Sequence, residues 1–210
     1  MEVGAKPRLD RIIARDLACV RGGRLVFREL SFEIPAGRFL VVEGPNGSGK
    51  TSLLRVLAGF IPPADGSVVV KLGAAEVSDA EERSKHIGWI GHQDAAKPQL
   101  TPSESLDFFA GLYAGPTDTG DVLAYVGLSR VAGVPCQYLS AGQKKRLALA
   151  RLQVCGRSLW LLDEPFASLD EDGRRLTVQL ISEHCGAGGI VIAATHEAIP
   201  LEGGRLRLGS

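Results

Sequence analysis

Cysteine is scarce in this chain, with four among 210 residues. Cys19, Cys136, Cys155 and Cys185 lie far apart and form no Cys-x-x-Cys pair. That leaves no motif for a zinc site or for covalent haem attachment, and reduced thiols of a cytosolic protein are expected. Net charge is missing too, because 24 Lys and Arg balance 24 Asp and Glu. The electrostatic footprint of a nucleic-acid binder is therefore absent, and no nucleic-acid partner is expected. Long apolar runs are also lacking. The best of them, Phe39–Glu43 and Ile190–Ala194, fall far short of the roughly 20 residues that span a bilayer. The amino end, Met1–Arg11, is polar and holds no apolar signal core. A soluble chain without direct membrane insertion is expected, with any link to a membrane made through a partner.

What is present suits one globular domain. The hydrophobic fraction is 45% and the charged fraction 23%, ordinary for a chain that buries a core. From Leu9 to Ile34, short apolar alternations flank Gly22-Gly23, which predicts antiparallel strands joined by a turn. Phe39–Glu43, Ile87–Ile90, Leu159–Leu162 and Ile190–Ala194 read as strands buried on both faces. Helical patterns lie between them, at Ser52–Leu57, Ser103–Leu112, Lys144–Gln153 and Arg174–Glu183. This alternation predicts an α/β fold with a mostly parallel sheet and antiparallel strands at the amino end. The stretch from about 97 to 146 has helical periodicity and no buried strand, so a small inserted helical subdomain is expected there. A single domain follows, with its α/β core at about 1–96 and 147–210.

Gly44-Pro45-Asn46-Gly47-Ser48-Gly49-Lys50-Thr51 matches G-x-x-x-x-G-K-[ST] at every fixed position. It follows a predicted buried strand and opens a predicted helix, as the motif requires. Glycines let the backbone curl so that its N–H groups face phosphate oxygens, and the helix N-terminus adds positive dipole. Lys50 is expected on the β- and γ-phosphates, and Thr51 on Mg²⁺. Leu159-Trp160-Leu161-Leu162-Asp163-Glu164 delivers two acids to the C-terminal edge of the sheet, where ligands bind in open α/β folds. Asp163 is expected to hold Mg²⁺ and Glu164 to act as general base on the attacking water.

A phosphate loop alone admits kinases, GTPases, helicases and transport ATPases. Asn46 is the only asparagine, which removes the Asn-Lys-x-Asp stretch of guanine-selective sites. Leu139-Ser140-Ala141-Gly142-Gln143, just ahead of Lys144–Arg151, decides among the rest. With it the sequence resembles the ABC ATPase family, whose signature it matches apart from Ala141 in place of the commoner glycine. Ser168-Leu169-Asp170 resembles the D-loop of that family, Gln93 its Q-loop and His196 its switch histidine. The resemblance implies ATP and Mg²⁺ as ligands, and a head-to-tail homodimer that buries two ATP molecules. Ser140, Gly142, Gln143 and Asp170 would then meet the nucleotide across the interface. Gln93 would contact Mg²⁺ and water, and His196 would hold the γ-phosphate and the water in line with Glu164. Arg21 stands where many members place an aromatic that stacks on adenine, which leaves selectivity between adenine and guanine open.

Finer spellings narrow the reading. Glu43–Gly47, Gly91-His92-Gln93, Leu100-Thr101 with Glu104, Ala150-Arg151-Leu152 and Leu159–Pro165 together resemble the ATP-binding subunits of cytochrome c maturation (haem exporter) systems. The resemblance implies docking on integral membrane transporter subunits at the cytoplasmic face of a bacterial inner membrane. Fourteen residues follow His196, so no regulatory C-terminal domain is expected. The apolar residues Leu100, Leu106, Phe108, Phe109 and Leu112 suit both a small core and a docking groove. Two other functions stay open: the ATPase of a drug or lipid exporter, and a soluble ABC ATPase acting on ribosome or DNA.

Overall fold

A computed structural model of the chain describes residues 9–91, 96–113, 118–197 and 199–209. Strands β1 (Leu9–Arg21) and β2 (Arg24–Pro35) form a hairpin. Gly22 and Gly23 both take positive φ, 54° and 75°, the geometry a two-residue hairpin turn demands. Strand β3 (Phe39–Glu43) leads into helix α1 (Lys50–Ala58). Strands β4 (Asp65–Leu72) and β5 (Ala75–Val77) return beside β1, followed by helix α2 (Ala80–Ser84) and strand β6 (Ile87–Ile90). Helices α3 (Pro102–Tyr113), α4 (Thr119–Tyr125) and α5 (Ala141–Cys155) come next. Strand β7 (Leu159–Asp163), helix α6 (Glu171–Gly186), strand β8 (Ile190–Ala194) and strand β9 (Gly204–Arg207) complete the described order.

Two sheets result. The first is antiparallel, in the order β2-β1-β4-β5. The second is parallel, in the order β6-β7-β8-β3-β9. Strands β7 and β8 are buried at every position, which explains their unbroken apolar sequences. The α/β layering expected from the sequence is therefore found. Strands β4, β5 and β9 lie outside the expected set. β9 reads Gly-Arg-Leu-Arg and is held by main-chain pairing to β3, so it carries no apolar pattern to detect.

Three apolar clusters fill the molecule. One joins the antiparallel sheet, α1 and one face of the parallel sheet, through Ile12, Leu17, Val42, Leu54 and Leu161. A second covers the opposite face with α5 and α6, through Val41, Leu149, Trp160 and Ile181. The third gathers α3, α4 and α5 around Leu106, Leu123, Val126 and Leu147. Helix α5 supplies Leu149 to the second cluster and Leu147 to the third, so it is enclosed on two sides and lacks one apolar stripe.

Candidate functional site

The loop between β3 and α1 owes its shape to its glycines. Gly44, Gly47 and Gly49 have φ of 151°, 82° and 100°, values that side-chain-bearing residues rarely adopt. Space is short as well. A Cβ on Gly44 would lie 2.6 Å from the Leu208 carbonyl oxygen, and one on Gly49 would lie 2.4 Å from Val26 Cγ1. Leu208, just after the Gly204–Arg207 strand, and Val26 of the first hairpin thus close on the loop from two sides. Lys50 is 7% exposed, and its Nζ donates to the Gly44 and Pro45 carbonyls at 2.8 and 3.2 Å. The ammonium therefore sits inside the curl of the loop.

Strand β7 brings the acids to the same place. The Thr51 hydroxyl lies 3.0 and 2.9 Å from the two carboxylate oxygens of Asp163, which is 3% exposed. Glu164 follows with φ of 49°, a strained value for a residue with a side chain, of the kind that clusters at functional sites. Its N–H donates to the Ala194 carbonyl at 2.8 Å. His196 Nδ1 lies 3.2 Å from Glu164 Oε1. Glu164 Oε2 is buried and has no hydrogen-bond partner among the described residues, and the same is true of Ser48 Oγ. Asn46, Gly47, Gly49, Lys50, Thr51, Ser52, Asp163 and Glu164 line one cleft of about 490 Å³ together with Val26.

The signature segment forms a second cleft, of about 510 Å³, lined by Ser140, Ala141, Gly142, Gln143, Arg146, Ser168 and Asp170 with Gly127. Ser140 caps α5: its Oγ accepts from the Gln143 N–H at 3.2 Å, and Gln143 Oε1 accepts from the Ser140 N–H at 2.9 Å. This capping box aims the helix amino end into the cleft. Asp170 caps α6 by accepting from the Gly173 N–H at 2.8 Å and pairs with Arg146 at 2.8 Å. The Gly173 N–H, and after it Arg146, hold the Asp170 carboxyl below its usual range. Gly142 packs so closely on Ser168 that a Cβ there would be 3.2 Å from its carbonyl oxygen.

The site residues thus divide. Asn46, Gly47, Gly49, Lys50, Thr51, Asp163 and Glu164 share the phosphate cleft, with His196 against Glu164. Gly44, Pro45 and Ser48 belong to the same loop without lining that cleft, and Gly209 lies close to Pro45 and Ser48. Ser140, Gly142, Gln143 and Asp170 share the other cleft, and no residue lines both. Gln143 faces its own helix cap. Arg21 is exposed at the end of β1 and does not line the phosphate cleft; Val26, in β2, does. Gln93 lies outside the described residues. Val26, Leu208 and Arg146 escaped the sequence reading of the site, whereas Ser168 belongs to the segment resembling the D-loop. Only Arg146 carried a signal, as a cation one turn into the signature helix.

A sequence profile described as ABC transporter matches residues 27–167. The cytochrome c biogenesis ATP-binding export protein CcmA of Nitrobacter winogradskyi is 44% identical, over 95% of this chain and 98% of the relative. The protein of the same name in Paramagnetospirillum magneticum is 45% identical, over 90% of this chain and 89% of the relative. A solved structure from Pyrococcus furiosus, described as an ABC transporter ATP-binding protein, superposes with a TM-score of 0.82 at 23% identity. It covers 94% of this chain and 97% of its own, a likeness of fold.

Proposed function

The chain belongs to the ABC transporter family as one of its ATP-binding subunits, and on that premise we propose that it hydrolyses ATP to drive a cytochrome c biogenesis transporter. One observation carries the hydrolytic part. Glu164 has one carboxylate oxygen 3.2 Å from His196 Nδ1, and its other oxygen is buried without a partner among the described residues. A carboxylate oriented by one oxygen and free at the other is suited to accept a proton from water. Lys50 and the loop N–H groups supply positive charge where the phosphates would lie.

Mg²⁺ fits the donor set. A hydroxyl and a carboxylate meet at Thr51 and Asp163, hard oxygen donors of the kind this ion prefers. These two residues would hold it, and when bound it neutralises charge on the phosphate oxygens. The phosphate cleft and the signature cleft share no lining residue. A second copy is what could bring a capped helix end to a phosphate already seated in the loop. ATP then joins two chains, and loss of the γ-phosphate releases them.

No helix among the described residues is long and apolar enough to cross a membrane. In the proposed reading the energy passes to integral membrane subunits, with this chain peripheral at the cytoplasmic face of a bacterial inner membrane. The biogenesis assignment is supported by the relatives named CcmA, which match nearly end to end.

The Glu164→Gln chain tests both parts. It should bind ATP, lose hydrolysis roughly 10²- to 10⁴-fold, and accumulate as ATP-loaded dimers on size-exclusion chromatography. Wild-type turnover in that variant removes the base assignment. In a deletion strain, c-type cytochromes should vanish, and the wild-type gene but not the Glu164→Gln gene should restore them. Normal cytochromes in the deletion strain would move the chain to another exporter.

A further inference from the structure

His196 is poorly held by packing, since its side chain is 65% exposed. Its alignment on Glu164 must therefore come from the main chain on either side. Upstream, Thr195 is fully buried and donates its N–H to the Val42 carbonyl at 3.3 Å. Downstream, Glu197 is fastened twice. Its N–H donates to Thr195 Oγ1 at 3.1 Å, and its carboxylate accepts from Arg174 Nη1 on α6. The pair is half-buried, Glu197 being 22% and Arg174 40% exposed, so its effect is one of geometry more than of stability.

Arg174 is itself fixed. Its N–H donates to the Asp170 carbonyl at 2.9 Å, one turn into α6, and Asp170 is tied to Arg146 of the signature helix. The anchor on the switch loop therefore stands on a capped, cross-linked helix end.

From this geometry we infer that Arg174 is a positioning residue for hydrolysis, acting through Glu197 to hold His196 against Glu164. The inference rests on the proposed roles of Glu164 and His196. Arg174 lines neither cleft, so its loss should leave nucleotide binding intact and misplace only the pair that handles water.

The test compares the full-length wild-type chain with Arg174→Gln, Arg174→Lys, Glu197→Gln and the Arg174→Gln/Glu197→Gln double variant. ATP turnover, affinity for a fluorescent ATP analogue and thermal melting are measured for each. Arg174→Gln should lower kcat roughly 10- to 100-fold, the penalty typical of small misplacements, with KM and affinity within about twofold of wild type. Arg174→Lys should recover part of the loss. The double variant should be no slower than the slower single variant, since both remove one link. Glu197→Gln breaks the same link from the loop side and gives the answer if Arg174→Gln does not fold. Unchanged kcat in both single variants overturns the inference, as do losses that multiply in the double variant or an affinity that falls in step with kcat. Glu164→Gln is run in the same series. Hydrolysis that survives there, or a wild type that lacks it, defeats the underlying reading of the site; a dead Glu164→Gln beside a fully active Arg174→Gln defeats only the role of Arg174.

Discussion

Gly49 is where conformation and space coincide. Its φ of 100° and the 2.4 Å approach of Val26 Cγ1 to a built Cβ leave no room for alanine. Gly49→Ala should weaken nucleotide binding at least about tenfold, given strain of order 1–3 kcal/mol at such a position. Titration with a fluorescent ATP analogue measures this. Adding Val26→Ala should relieve the clash but not the strain, and recover only part of the affinity. Wild-type affinity in Gly49→Ala would mean that the loop rearranges freely and that the hairpin does not shape it.

At the scale of elements, helix ends carry the function. Helix α5 begins in a capping box, and its amino end faces the signature cleft. Ser140→Ala removes the cap and should cost about 1 kcal/mol in urea unfolding. The loss of ATP-dependent dimers should be larger than that cost explains, because the hydroxyl also stands where a partner's phosphate would dock. Ser140→Thr keeps an oxygen and should keep most of the stability. Dimers that form normally from Ser140→Ala chains would separate the cap from the interface.

For the whole molecule, one source of acid sensitivity is His184, a strongly depressed group that does not line the phosphate cleft. His184 stacks on Trp160 with ring centroids 3.9 Å apart and contacts the Ser158 carbonyl at 3.2 Å. Burial pushes its pKa down from 6.5 to about 4. A histidine depressed in the folded state binds more protons when unfolded, so its contribution to stability is intact above about 6.5 and is lost as pH falls towards 4. The Tm should therefore decline across that window. His184→Phe, which keeps the stacked ring and removes the proton site, should flatten the decline. An equally steep loss in the Phe variant would assign it to carboxylates instead.

Local order by itself settled the chemistry of the individual pieces. A run of apolar residues ending at Gly44 has to be a buried strand, and the glycines after it have to curl. Leu159–Glu164 has to carry two acids to a strand end, and Ser140 with Gln143 has to start a helix. Each follows from neighbours within a few positions, where backbone sterics and side-chain period act. What only tertiary structure decided depends on distant stretches meeting. The polar edge strand β9 pairs with β3 and backs the phosphate loop, Val26 closes on Gly49, and Arg174 reaches Glu197 across the chain. The division of the two ligand-facing groups between separate clefts is of the same kind. No local period encodes such meetings. They are set by the way two sheets and the helices around them bury a common core.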